Sequence, residues 1–125
     1  MPDMPSFDKS SAAIVERFGS VLDRYPHAER RKMFGYPAAF VGGNMATGLF
    51  REQWIVRLPE AELNVALAEG ATPFAPVPGR TMGGFVVIPE AVVADDAAID
   101  AWVAKGLAHA AAMPPKEPGA RKKKG

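Results

Sequence analysis

The sequence predicts an α+β domain, and three observations predict it. Apolar residues recur at helical spacing near both ends of the chain, short β-rich runs separated by turn residues fill residues 38–58, and no repeat of 20 residues or longer appears. The predicted order is helix, three-stranded antiparallel meander, helix, one or two further strands, C-terminal helix. A length of 125 residues with 48% hydrophobic and 23% charged residues suits one domain with one core. Residues 1–9 read as a loose arm, 10–115 as the domain, and 116–125 as a mobile basic tail with nothing apolar to pack.

Ser10 and Ser11 offer N-cap hydroxyls to a first helix whose apolar positions Ile14, Phe18, Val21 and Leu22 form one stripe. Glu16, Arg17, Ser20 and Asp23 are expected to face water, and Tyr25-Pro26 ends the helix because the residue before a proline avoids the α region. His27 to Lys32 reads as a polar, solvated connection. Ala38-Ala39-Phe40-Val41 is then a strand, Gly42-Gly43-Asn44 a tight reversal needing positive φ, and Met45 to Phe50 the returning strand. After the polar turn Arg51-Glu52, a third strand spans Gln53 to Leu58. Trp54, Val56 and Leu58 share its core face, while Ile55 and Arg57 share a face expected to be partly exposed.

Pro59 suits the first position of a short second helix, with Glu60 and Glu62 near its positive end, Leu63, Ala66 and Leu67 as its stripe, and Gly70 as its stop. The prolines between Thr72 and Arg80 predict an ordered loop packed by Phe74 and Val77 rather than a paired strand. Val86-Val87-Ile88 is a fourth strand, stopped by Pro89. Asp95 or Asp96 caps the last helix, whose stripe is Ile99, Trp102, Val103, Gly106 and Leu107. Gly106 permits a close neighbour, and Pro114-Pro115 terminates the helix.

Several function classes are set aside on composition. With no cysteine there is no disulfide framework, thiolate metal site or cysteine nucleophile, which fits a reducing cytosol. The acidic, proline-bearing start is unlike a secretion signal, and no apolar stretch approaches the roughly 20 residues of a membrane span. A cytoplasmic protein with no membrane partner is therefore expected. The tail from Lys116 holds five cations and one acid, a net +4, so the overall +1 leaves −3 on residues 1–115. That is too little for nucleic-acid binding by the core, and the tail offers only weak, sequence-blind attraction.

No residue constellation carries a reaction. His27 and His109 lack metal-ligand spacing, Asp95-Asp96 is better explained as a cap than as a carboxylate pair, and Gly42-Gly43 and Gly83-Gly84 lack the flanks of phosphate cradles. No catalytic residue, metal ligand or cofactor is expected, and the chain reads as a non-enzyme. The candidate contact surface is Tyr36, Arg80 and Met82. Arg80 sits on a stiff Pro-Gly loop where a guanidinium could grip an anion, although a structural role, pairing with an acidic side chain or capping a helix C-terminus, is the simpler reading. Met33, Phe34, Tyr36, Met45 and Met82 could line a pliable apolar surface, but core packing is the simpler role for Phe34 and Met45. Met33, Phe34, Phe40 and Met45 are expected to anchor the sheet to the helices, leaving Tyr36 the most exposed of the group.

Taken in order, Arg31-Lys32-Met33-Phe34-Gly35, Phe40-Val41-Gly42-Gly43-Asn44-Met45, Val56-Arg57-Leu58, Gly70-Ala71-Thr72-Pro73-Phe74, Pro78-Gly79-Arg80, Trp102 and Pro114-Pro115-Lys116 resemble the N-terminal domain of the TfoX/Sxy family. The match covers roughly residues 10–116 and departs where many relatives carry a second glycine in place of Tyr36-Pro37. The resemblance implies an α+β fold similar to secretion-chaperone-like proteins. It also implies a stand-alone first domain of a family whose named members regulate natural competence with the cyclic-AMP receptor protein. It supplies no catalytic residue. The leading expectation is a regulatory protein-interaction domain with an unidentified protein partner. A small-ligand or anion-binding domain around Arg80 is the alternative, nucleic-acid binding through the tail is third, and a homodimer through a sheet edge is compatible with each.

Overall fold

A computed structural model describes residues 10–33, 35–75, 79 and 83–114. Helix α1 (Ala12–Leu22) starts where Ser11 Oγ accepts the N–H of Ile14. Strands β1 (Glu29–Met33), β2 (Tyr36–Val41), β3 (Asn44–Phe50) and β4 (Gln53–Arg57) follow, then α2 (Glu60–Ala68), β5 (Thr72–Pro73), β6 (Phe85–Val87), α3 (Glu90–Ala94) and α4 (Asp96–Ala112). The six strands form one antiparallel sheet in the order β1-β2-β3-β4-β6-β5. The α+β class and the central meander are as the sequence predicts. Gly42 and Gly43 take φ of 60° and 82° at the β2–β3 reversal, a region that costs glycine little and other residues more.

The sheet has two unlike faces. On one, Ala39, Leu49, Trp54, Val56 and Val86 pack under Phe18, Val21 and Leu22 of α1 and Ile99, Val103, Leu107 and Ala110 of α4, with Ala66 of α2 joining them. A β-bulge between Ala39 and Phe40 pairs Ala39 with Thr47 and Phe40 with Met45, leaving Ala46 as the extra residue. The other face carries a smaller cluster of Ala38, Met45, Ile55, Phe74 and Phe85, flanked by Met33, Phe40, Phe50 and Val87; among the described residues no helix contributes to it.

That second cluster corrects two expectations. Ile55 is 2% exposed rather than partly open, because Phe74 and Phe85 cover the back of β4. Met33, Phe40 and Met45 pack on this back face instead of anchoring the sheet to the helices: Phe40 alternates with Ala39, and the bulge at Ala46 turns Met45 to the face opposite Leu49; Phe34 lies outside the described residues. Three local readings also change. The supposed connection before the meander contains β1, whose charged side chains stay exposed while its backbone pairs with β2. Thr72-Pro73 does pair, because a two-residue edge strand has a ladder on one side only and tolerates proline there. Glu90–Ala94 forms a short helix with Pro89 at its N-cap position, where helical periodicity is too brief to be read.

Two polar ties fix α4. Asn44 Nδ2 donates to Pro114 O at 3.0 Å and Ala110 O at 3.4 Å, so the buried hairpin residue satisfies carbonyls at the helix end. At the other end Asp95 accepts from Ala98 N, and Arg24 reaches both Asp96 and Asp100. Tyr25 donates to Asp100 Oδ1 at 2.9 Å. Burial first, then the hydrogen bond to Asp100 and its charge, pushes the Tyr25 hydroxyl above its ordinary value. The folded state therefore holds this proton more tightly than the unfolded chain. The stabilisation is complete below about pH 10 and is lost as pH rises through the higher folded value. Urea melts across that range should show wild type losing stability faster than Tyr25→Phe; parallel curves would refute the assignment.

Candidate functional site

The edge of the sheet formed by β1 gathers the charged sequence Glu29-Arg30-Arg31-Lys32 beside the predicted contact residue Tyr36. Register pairs Lys32 with Pro37 and Arg31 with Ala38. Pro37 has no N–H to give to β1, and its carbonyl lies on the β3 side, where a Cβ added to Gly48 would meet it at 3.2 Å. Lys32–Pro37 is thus a non-hydrogen-bonded pair, and antiparallel alternation makes Arg30–Ala39 another. The N–H and C=O groups of Arg30 and Lys32 accordingly point outward from the sheet, along an edge with no neighbouring strand among the described residues.

Tyr36 is half-buried, less open than expected, and its ring lies 5.2 Å from Phe50, which in turn meets Phe74 edge-on at 5.3 Å. With Lys32, Val15, Pro37, Gly35 and Ser10 it lines a depression of about 350 Å³ at the end of β1. Arg80 and Met82 lie outside the described residues, as do Val77 and the basic tail, so the structure brings only Tyr36 of the predicted trio to a defined place.

Guanidinium groups sit over three aromatic rings of the back face: Arg31 over Phe40 at 5.1 Å, Arg51 over Phe50 at 5.3 Å and Arg57 over Phe85 at 4.7 Å. Arg57 Nε also donates to Met45 O at 2.7 Å, and burial lowers the affinity of this guanidinium for its proton. Arg31 Nε donates to Glu29 Oε2 at 2.9 Å, and this hydrogen bond raises the affinity of the Arg31 guanidinium for its proton. Among the described residues no three His, Asp or Glu side chains are grouped to hold a metal ion, and no helix is long and apolar enough to cross a membrane. His27 is exposed at the edge of Tyr25, and His109 belongs to the last turn of α4.

The TfoX N-terminal domain model matches residues 20–110, which takes in the edge strand, the Tyr36 turn and both faces of the sheet. The chain belongs to the TfoX N-terminal domain family. No curated protein matches it. For this TfoX N-terminal domain, sequence reasoning had missed the outward ladder of Arg30 and Lys32, although Pro37 facing Lys32 was the signal for it once β1 is recognised. It had also placed Arg17 of α1 in solvent, whereas Arg17 is half-buried and its Nε donates to Val93 O at 2.6 Å. A lone arginine between apolar helical positions gives no sign of such a contact.

Proposed function

We propose that this TfoX N-terminal domain is a non-enzymatic regulatory module that receives an extended acidic segment of a partner protein along β1. The observation that carries the reading is the outward-pointing backbone of Arg30 and Lys32 on an exposed terminal strand bearing three cations. Addition of a strand to a sheet edge supplies affinity through main-chain hydrogen bonds and specificity through side-chain pockets. The depression beside Tyr36 and Lys32 provides such a pocket. Acidic residues opposite Arg30, Arg31 and Lys32 would be favourable cross-strand neighbours, whereas like charges are not. A second copy is a poorer occupant: in the antiparallel register centred on Arg31 it sets Arg31 against Arg31 and Arg30 against Lys32. The resemblance to a family whose named members are regulators supports a partner in transcription control, with competence as one such process.

Affinity capture from native extract tests this, comparing wild type with Lys32→Pro and with the double variant Arg30→Glu/Lys32→Glu. Lys32→Pro removes an outward N–H while leaving the inner ladder to β2 intact. A protein retained by wild type and lost with both variants is the expected result. The same proteins recovered with all three baits would overturn the proposal.

A further inference from the structure

A second concavity, away from β1, is built entirely from described residues. It is a cleft of about 440 Å³ between α1, the β3–β4 turn, the start of β5 and the β6–α3 connection. Its size falls in the range of small-molecule sites, about 300–1,000 Å³. The half-buried apolar side chains Ile14, Val87, Pro89 and Val93 line it, and three charged groups, Arg17, Glu52 and Glu90, stand around them.

These three groups are not equivalent. Both Glu52 oxygens are engaged by Ser11, one by its backbone N–H and the other by its hydroxyl at 3.0 Å, so Glu52 serves the start of α1. Arg17 is anchored through Nε to Val93 O at 2.6 Å, which fixes its guanidinium, while its terminal nitrogens have no hydrogen bond or ion pair among the described residues. The Glu90 carboxylate is likewise without one. The cleft therefore presents one anchored cation and one carboxylate with no partner among the described residues, over an apolar wall. An anion alone would meet two glutamates, and a cation alone would meet Arg17.

We propose that this cleft binds a small zwitterion of the free α-amino-acid class with an apolar side chain. Its carboxylate pairs with the terminal nitrogens of Arg17, its ammonium with Glu90, and its side chain lies against Ile14, Val87 and Val93. Guanidinium and carboxylate suit each other because two parallel N–H donors match two oxygens. The site goes beyond the docking role of β1 and stands or falls independently of it.

Isothermal titration calorimetry on the full chain tests the assignment with three probes: L-leucine, 4-methylpentanoate, which lacks the ammonium, and 3-methylbutylamine, which lacks the carboxylate. L-leucine should give a saturable heat, and each single-charge analogue should bind at least about tenfold more weakly. Arg17→Gln should abolish the leucine signal and Glu90→Gln should weaken it, with circular dichroism and thermal midpoint showing both variants folded. Should Arg17→Gln fail to fold, Glu90→Gln on the exposed face of α3 carries the test alone. Absence of saturable heat from L-leucine at millimolar concentration, equal affinity for the analogues, or undiminished binding by Glu90→Gln would each overturn the proposal.

Discussion

Replacing Trp54 by alanine should cost about 3–5 kcal/mol, a large share of the 5–15 kcal/mol that holds a domain of this size together. Trp54 is 1% exposed, its ring lies 5.1 Å from Phe18 at 52°, and it ties β4 to α1 at the centre of the helical face. Its indole adds a polar constraint. Nε1 donates to Thr47 Oγ1 at 2.9 Å, and that hydroxyl donates in turn to Ile55 O at 2.6 Å. Thr47 is fully buried, so Thr47→Val keeps the shape but strands the indole N–H, a loss of about 1–3 kcal/mol. In a Thr47→Val background, Trp54→Phe then removes a group already orphaned. The double variant should be more stable than the sum of the single losses predicts by roughly 1 kcal/mol in denaturant melts. Additive losses would show that the hydrogen bond contributes nothing beyond packing.

Wherever one rule acted alone, the fold was readable from residues. Ser11 and Asp95 cap helices because each side chain accepts an N–H three residues on within its own first turn, and Gly42-Gly43 turns the chain because positive φ admits little else. What stayed hidden depends on partners distant in sequence. Glu29-Arg30-Arg31-Lys32 looks like solvated loop until β2 is there to pair with it, and Pro73 forbids a strand only if both sides need a ladder. The back-face cluster requires Phe74 to fold over Ile55 from nineteen residues away, a contact no periodicity encodes. For the sites the same limit applies. Tyr36 could be singled out by its residue type, but the outward edge of β1 and the Arg17–Val93 contact exist only once α1, β1 and α3 have taken their places.

Gly19 and Gly106 offer the same substitution with opposite expected signs. Both lie inside helices, where exchanging glycine for alanine gains up to about 1 kcal/mol of helix preference. At Gly19 of α1 a new Cβ would meet nothing nearer than Arg30 Nη1 at 3.9 Å, so Gly19→Ala should raise stability by about 0.5–1 kcal/mol. At Gly106 of α4 it would lie 2.9 Å from Ala46 O and 3.3 Å from Arg57 O, and would run into Val56 Cγ2. Two of these obstacles are strand backbone and cannot swing aside, and one belongs to the bulge residue of β3. Overpacking of this kind costs about 1–3 kcal/mol and rises with side-chain size. Gly106→Ala should therefore lose about 1–2 kcal/mol net despite the helix gain, and Gly106→Leu more. For a domain near 100 residues each kcal/mol moves the thermal midpoint by about 4–8 °C, so calorimetry should record an upward shift for Gly19→Ala and a downward one for Gly106→Ala. If Gly106→Ala also melted higher, α4 would have to stand farther from β3 and β4 than the placement of Asn44 against Pro114 and Ala110 allows.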